Sequence, residues 1–575
     1  MDNLSIARVL VEIADLLEIK NENPFKIRAY RNAADVIAHH PDPVAGLPPG
    51  ERRTLPGIGK DLAAKIGELV DSGAMAYHQA LLQEFPPTIL DLLHLQGVGP
   101  KTVALLYHQL GIRSLDDLEH AARDGRLRRL RGMGVKKEAA ILQSLEQRSR
   151  LAGRQLISAA HDAAAPLVAW LQDQGPGARV TAVGSLRRGC DTCGDLDILA
   201  AGDAPGVVNA FTRYQLVERV FVHGQTKSSV LLWGGIQADL RVVPEASAGA
   251  ALQYFTGSKA HNIALRDRAL QRGLKLNEYG VFDAGTGEVV AGETEESVYA
   301  ALGLPWIPPE LREDRGEFAA AAQGTLPRLV QVPDLQGDVH MHTTASDGRA
   351  DAWTMARAAR DAGLQYIAIT DHTQSLSMAG GLDERRTLAH AREVRALNGR
   401  DDLDGLTVLA GVECDILPDG RMDLAADCLA ELDIVVASVH SALQQDEAQM
   451  TERLLRAIEC PWVDILGHPT GRRLFKRDAA RVAMDRVFSA AAASGVALEI
   501  NGQPHRLDLD DMLARQAHAR GVSLVIDSDA HSPAALEYLR WGVMTARRAW
   551  VEPADVLNSR PVAAFRASLR RHRRT

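Results

Sequence analysis

Histidines and carboxylates recur through the second half of this chain, and most groups of them close a short apolar or β-branched run. The groups are Asp338-Val-His340-Met-His342, Ser346-Asp347-Gly348, Thr370-Asp371-His372, Gly411-Val-Glu413, Ser438-Val-His440, Gly467-His468-Pro469 and Asp527-Ser-Asp529-Ala-His531. The runs before them include Tyr366-Ile-Ala-Ile-Thr370, Asp433-Ile-Val-Val-Ala-Ser438 and Ser523-Leu-Val-Ile526. Such runs read as buried strands, and a parallel β/α barrel gathers the carboxyl ends of its strands into one site. A lone histidine is usually a core residue; ligands after strand upon strand require a metal-binding barrel. Histidine with aspartate and glutamate suits zinc, manganese or iron, and two or three such ions suit phosphate-ester hydrolysis.

At 575 residues the chain is too long for a single core, so several domains are expected. No run approaches the ~20 apolar residues that span a bilayer, and Met1-Asp-Asn-Leu-Ser-Ile lacks a signal-peptide pattern. Five cysteines scattered over this length point to a reducing compartment, with the cytoplasm as the expected address. Cys190-Asp-Thr-Cys193 is a single CxxC without a partner pair and reads as loop. A net charge of −9 argues against a polyanionic partner only if charge is evenly spread. It is not: Arg123, Arg126, Arg128, Arg129, Arg131, Lys136 and Lys137 crowd one short segment.

The first third repeats a pattern of helix, Gly-x-Gly turn and helix. It appears at Leu55-Pro-Gly57-Ile-Gly59-Lys60, Leu95-Gln-Gly97-Val-Gly99-Pro-Lys101 and Leu130-Arg-Gly132-Met-Gly134-Val-Lys136. The glycines let backbone approach a partner closely, and the next helix opens with free N–H groups. A phosphate oxygen is the natural occupant of such a nest. This resembles the helix-hairpin-helix motif, which grips a DNA backbone without reading bases. One copy would leave a packing turn and a DNA grip nearly even; three copies with nearby Lys and Arg favour DNA.

From about residue 155 the texture turns to short β-like runs, among them Arg179-Val-Thr-Ala-Val183, Asp195-Leu-Asp-Ile-Leu199 and Ile236-Gln-Ala-Asp-Leu-Arg-Val-Val243. Asp195 and Asp197 lie two apart on a strand and share a face. Asp239 on a neighbouring strand completes a three-carboxylate cluster, which is costly without bound cations. Two Mg²⁺ there would bridge a nucleotide triphosphate and an attacking hydroxyl. Gly184-Ser185 offers a close N–H and a hydroxyl, and Arg188 a fixed positive charge. The Pro- and Ala-rich stretch from about Pro305 to Pro333 reads as a linker, and the basic tail Arg566–Arg574 as a solvated segment.

With GSxRR…GDLD, the third Asp and Tyr254-Phe-Thr-Gly-Ser258, residues 1 to about 310 resemble a family X DNA polymerase of the beta type. Residues 336–575 resemble the polymerase-and-histidinol-phosphatase (PHP) domain, and the order of the two resembles the bacterial family X DNA polymerases. The resemblance implies a multidomain α+β and α/β chain: a helical 5′-phosphate- and DNA-binding domain (1–85), a second helix-hairpin-helix subdomain (86–153), a nucleotidyltransferase palm (154–245), a nucleotide-selection subdomain (246–311), a linker (312–335) and a distorted (β/α)7 PHP barrel (336–575).

It also implies roles. Asp195 and Asp197 would hold both palm metals (Mg²⁺ or Mn²⁺), and Asp239 the catalytic metal and the primer 3′-hydroxyl proton. Gly184, Ser185 and Arg188 would bind the triphosphate. Tyr254, Phe255 and Gly257 would line the sugar pocket, with Asn262 and Arg266 in minor-groove contact. Lys259 stands where the beta type has an acid, and would tighten nucleotide binding. Lys65 aligns with the Schiff-base lysine of 5′-deoxyribose phosphate lyases, and Lys26 and Tyr30 with 5′-phosphate contacts. Asp61 replaces an expected lysine there, which argues for Lys65 positioning DNA rather than cleaving it.

In the barrel the whole ligand pattern is present: His340, His342, Asp347, His372, Glu413, His440, His468, Asp529 and His531. The resemblance implies two to three Mn²⁺ or Zn²⁺ ions, with Fe a further candidate, and 3′→5′ exonuclease, 3′-phosphatase and abasic-site endonuclease chemistry. Arg472, Arg473 and Lys476 are candidates for guiding a DNA end. The reading is a bacterial, nucleoid-associated, monomeric repair polymerase acting on gapped or 3′-recessed DNA with dNTPs. Its rivals are a small-molecule phosphatase fused to a polymerase and a DNA-end scaffold with vestigial chemistry.

Overall fold

The computed structural model describes residues 3–38, 44–95, 98–130, 132–151, 153–202 and 206–570. They form two compact units, one of residues 1–152 with 475–477, the other of 153–474 with 478–575. Among the described residues no helix is long and apolar enough to cross a membrane.

The described residues of the first unit are helical. Asn3–Ile19 and Pro24–Ala38 are followed by Lys60–Ser72, Ala76–Glu84, Pro100–Leu110, Leu115–Arg123 and Val135–Leu151. Their apolar faces meet in one core that includes Leu10, Ile13, Leu17, Ile66, Val103 and Leu106. Gly73 (φ 72°) and Gly111 (φ 65°) end two of the helices in the left-handed conformation, which glycine adopts without a Cβ penalty.

The second unit begins with a mixed five-stranded sheet in the order Ala178–Ala182, Asp195–Gly202, Gln237–Val243, Lys227–Leu232, Val217–His223. Helices Ile157–Gln174 and Val207–Thr212 cover one face, and Ala248–Thr256 packs on Leu199, Ala201 and Val243 of the other. Helix Lys259–Gln271 and a small antiparallel sheet, Leu274–Asn277, Gly280–Asp283 and Val289–Ala291, follow.

The stretch expected as a linker at 312–335 is structured instead. Arg312 is fully buried and donates to the Ile307 carbonyl (2.8 Å) and to Glu295 (2.6 Å). Glu317, equally buried, opens helix Glu317–Gln323 and accepts from His261 Nδ1 at 2.7 Å. Buried charges persist only when paired, so these contacts fix the segment in place.

Seven parallel strands then run in chain order: Gly337–Asp338, Tyr366–Ile369, Thr407–Asp415, Ile434–Ser438, Ile465–Leu466, Ala497–Asn501 and Leu524–Asp527. A parallel bridge between Met341 and Ala530 joins the first strand region to the last, nearly closing a barrel. Residues alternate along each strand: Val339, Ala368, Val436 and Ile465 form one cluster, while Ile367, Ile369, Val435 and Ala437 pack with Met355, Leu454 and Phe488 of the helices. The expected solvated tail is partly wrong as well. Arg570 is buried and donates to the Cys460 carbonyl at 2.8 Å, behind buried Phe565 and Leu569; residues 571–575 lie outside the described residues.

Candidate functional site

In the palm, strands Asp195–Gly202 and Gln237–Val243 are parallel neighbours with Asp197 opposite Asp239. Side chains at i and i+2 share a face, so Asp195, Asp197 and Asp239 converge, each offering an oxygen within 4.8 Å of the others. Burial, with the charges of Asp195 and Asp239, pushes Asp197's carboxyl up to about 7. Carboxylates this crowded ionise together only beside a cation, so the donor set fits divalent metal. A Cβ on Gly184 would sit 2.1 Å from Asp197 Oδ2, and φ there is +63°, so only glycine lets this backbone reach the cluster.

A cavity of about 540 Å³ opens beside the cluster, lined by Gly184, Ser185, Arg188, Asp195, Asp197, Tyr254, Phe255, Gly257, Lys259, Asn262 and Arg266, with Arg154, Gly194 and Thr256. Every residue read as nucleotide-binding lies there. Asn262 is held by the Tyr254 carbonyl (2.7 Å) and by Gln253 (2.8 Å). Arg187, by contrast, is a structural residue: it forks onto Glu295 at 2.8 and 2.7 Å, away from the pocket. Gln237, missed in the sequence, donates to Asp239 Oδ2 at 3.0 Å.

The barrel brings all nine expected ligands to one end. Eight of them form overlapping groups: His342, Asp347, His372 and His531; His340, His342 and Asp529; His372, Glu413 and His440. Glu413 sits at the centre, with oxygens 2.8 Å from His372 Nδ1, 2.8 Å from His468 Nε2, 3.3 Å from His440 Nε2, 3.5 Å from His340 Nε2 and 3.6 Å from His342 Nε2. The buried nitrogens His340 Nε2, His342 Nε2, His440 Nε2 and His468 Nδ1 have no hydrogen-bond partner. Polar atoms buried this deeply are normally satisfied, so the orphans fit metal coordination. Burial, with the charges of His531 and His372, pushes His342 down to about 4, which keeps its ring neutral and able to ligate. At His372 burial opposes protonation, but Glu413 and Asp347 outweigh it and push the ring up to about 10.

Sequence reasoning missed the carboxylates behind these ligands. Glu499 accepts from His340 Nδ1 at 2.6 Å and from the His468 backbone N–H, and Asp415 accepts from His440 Nδ1 at 2.5 Å. Such partners fix ring orientation and raise ligand basicity. A single acid inside an apolar strand, as in Leu498-Glu-Ile-Asn501, was the available signal. Arg506 was also missed: its Nε lies 3.5 Å from Asp529 Oδ2, and its Nε and Nη1 lack hydrogen-bond partners. Arg473 beside it has a buried Nε without one. Arg472 is not free to guide DNA. It is bound to Asp191 (2.7 Å) and to the carbonyls of Arg506 (2.9 Å) and Leu507.

In the helical unit, Gly59 and Gly99 precede helices Lys60–Ser72 and Pro100–Leu110 without any side-chain cap, and Gly134 precedes Val135–Leu151. Nothing within 4 Å would meet a Cβ at Gly57, Gly59, Gly99, Gly132 or Gly134. Three helix starts therefore present open backbone, flanked by exposed Lys60, Lys101 and Lys136; Gly97 lies outside the described residues. The neighbouring basic cluster is thinner than its sequence suggests. Arg128 is tied to buried Glu138 (2.6 Å) and Arg123 to Glu119 (2.5 Å), and Arg131 lies outside the described residues.

Lys26, Tyr30 and Lys65 do converge, around Tyr77. Lys65 Nζ is 3.1 Å from Tyr30 Oη and 4.5 Å from the Tyr77 ring centre, and Lys26 Nζ is 5.0 Å from that ring. Asp61 pairs with Lys65 at 2.7 Å. Partial burial works against the ammonium, but Asp61 and Tyr30 outweigh it and hold Lys65 above its ordinary value.

Comparison with known proteins finds four matching stretches. Residues 1–75 match the helix-hairpin-helix domain, 89–147 the SAM-like helix-hairpin-helix tandem, 251–313 the DNA polymerase beta thumb and 338–503 the PHP domain. The chain is 38% identical to the DNA polymerase/3′-5′ exonuclease PolX of Bacillus subtilis (strain 168), over the full length of both. It is 26% identical to rat (Rattus norvegicus) DNA polymerase lambda over 54% of this chain and 56% of that one. Across 34% of the chain it is 34% identical to 75% of a probable phosphatase of Caldanaerobacter subterraneus subsp. tengcongensis.

Proposed function

We infer the function from one premise: this chain belongs to the bacterial family X DNA polymerases that carry a C-terminal PHP domain. It is a DNA polymerase with 3′→5′ exonuclease activity. We propose further that it fills short gaps as a monomer in the bacterial cytoplasm, and that the barrel clears 3′ ends and incises abasic sites. The observation carrying this reading is that both ligand sets are complete, three carboxylates in the palm and nine residues in the barrel.

In the palm, Asp239 receives the primer 3′-hydroxyl proton on the oxygen that Gln237 leaves free. The N–H groups at Gly184-Ser185 and the guanidinium of Arg188 hold the triphosphate, while Tyr254, Phe255 and Gly257 shape the sugar pocket. Lys259, exposed at the rim, adds charge for the phosphates. In the barrel, Arg473 and Arg506 present positive charge to the phosphate of a 3′ end. Asp195, Asp197 and Asp239 would hold Mg²⁺ or Mn²⁺ in the palm, and the nine barrel residues would hold two to three Mn²⁺ or Zn²⁺ (or Fe); such ions would supply positive charge to the phosphoryl oxygens and lower the pKa of the attacking oxygen.

The test is a one-nucleotide-gapped, 5′-phosphorylated duplex with a labelled primer in Mn²⁺. We expect extension by one nucleotide with the complementary dNTP and shortening without it. The similarity to a probable phosphatase supports one alternative for the barrel, a phosphomonoesterase acting on small molecules. Hydrolysis of a free phosphate ester with no shortening of the primer would select it.

Lys65 is proposed as a phosphate contact, because Asp61 keeps it protonated and a Schiff base needs the free amine. Borohydride trapping on 5′-deoxyribose phosphate DNA should be weak in the wild type, several-fold stronger in Asp61→Ala, and lost in Lys65→Ala. An adduct that survives Lys65→Ala excludes that lysine as nucleophile.

A further inference from the structure

Arg188 is held from two sides. Its Nε donates to Glu313 Oε1 at 3.0 Å and its Nη1 to the Thr256 carbonyl at 2.5 Å. The same Glu313 oxygen accepts from Nη1 of Arg548 at 2.8 Å, and that nitrogen also donates to the carbonyl of Arg188 at 2.9 Å. Arg548 is the last residue of the barrel helix Leu539–Arg548 and is only 7% exposed. Its Nη2 is anchored on Asp511, at the start of barrel helix Asp511–Ala519, at 2.9 Å. Contact at the next residue is just as close: a Cβ on Gly189 would lie 2.2 Å from Met544 Cγ of the same barrel helix.

We propose that Arg548 is a positioning residue for nucleotidyl transfer, through which the barrel sets the availability of Arg188 to the incoming triphosphate. The inference rests on the assignment of Arg188 as a triphosphate contact. Glu313 is one carboxylate shared by two guanidiniums. Burial opposes its ionisation, but Arg188 and Arg548 outweigh it and hold the carboxyl below its usual range. With both cations present, and with Asp511 also paired to Arg315 at 2.8 Å, three guanidiniums outnumber two carboxylates, and Arg188 can turn a donor toward phosphate. Without Arg548, Glu313 pairs with Arg188 alone and competes with the nucleotide, while the Arg188 carbonyl loses its donor. The site is largely shielded from water, so solvent replaces neither interaction well. No barrel atom needs to touch the nucleotide for its affinity to change.

The experiment is single-turnover gap filling by the full chain with the dNTP concentration varied. Wild type is compared with Arg548→Met, Arg548→Lys, Glu313→Gln, the Arg548→Met/Glu313→Gln double variant and Arg188→Ala. We expect Arg548→Met to raise the apparent dNTP Kd about five- to tenfold, with the maximal rate and the exonuclease rate within about twofold of wild type. Arg548→Lys, which keeps the charge but not the fork, falls between. Removing the competing carboxylate in the double variant returns Kd to near the wild-type value. A wild-type Kd in Arg548→Met, alongside a raised Kd in Arg188→Ala, overturns the inference and leaves Arg548 as a packing contact. So does a fall in maximal rate together with loss of exonuclease, which marks structural damage. An unchanged Kd in Arg188→Ala removes the underlying assignment, and the inference with it.

Discussion

Asp239→Ala is expected to end nucleotide addition while leaving exonucleolytic shortening within about twofold of wild type. Loss of a general base alone costs about 10²–10⁴-fold in rate, and this residue is also one of the three carboxylates that would hold the palm cations, so the combined loss should lie at or beyond the upper end. Unfolding would not account for it. Asp239 raises the carboxyl of Asp197 by like-charge repulsion, and its removal relieves that repulsion. In chelator, therefore, the melting temperature should hold or rise. Its side-chain partner Gln237 lies two residues away on the same strand and can turn to solvent. Primer extension, exonuclease rate and melting temperature on one preparation decide the matter. Simultaneous loss of both activities would contradict two independent sites.

The ligands were legible because chemistry and secondary structure coincide at strand ends. A histidine or carboxylate placed just past a β-branched run needs only the parallel topology to reach the mouth of the barrel, and all nine do so. The palm acids were legible for a similar reason: alternation along Asp195–Gly202 fixes the shared face, and pairing with Gln237–Val243 supplies the third. What stayed hidden depended on partners remote in sequence. Arg472 read as a candidate for guiding a DNA end, but its carboxylate partner Asp191 lies 281 residues away. The stretch from about Pro305 to Pro333 read as linker from its Pro and Ala, yet Arg312 and Glu317 are buried because Glu295 and His261 await them. Glu499 and Asp415 lie in strands, where one acid among apolar residues signals a buried charge but does not name the imidazole it will orient.

Glu413→Gln should end exonuclease activity and spare synthesis. This carboxylate lies within 3.6 Å of a nitrogen of each of five histidines, His340, His342, His372, His440 and His468. Burial opposes its ionisation, but the imidazoles of His440, His340 and His372 outweigh it and hold the carboxyl well below its usual range. Glutamine keeps the shape and removes the charge, and its amide N–H₂ points a donor into a site built from acceptors. Substituting a carboxylate that only orients a ligand typically costs about 10–100-fold in affinity or activity; loss of a ligand at the centre should exceed that. Two readouts separate a metal role from simple damage. Metal bound per chain, measured by elemental analysis, should fall by at least one ion. We expect chelator to lower the melting temperature of the wild type and to change that of the variant much less, because metal binding to a folded site contributes directly to stability. Gap filling in Mg²⁺, unchanged within about twofold, reports that the palm is intact. A Glu413→Gln protein that loses its metal yet still shortens primers at the wild-type rate would place the nuclease outside the barrel.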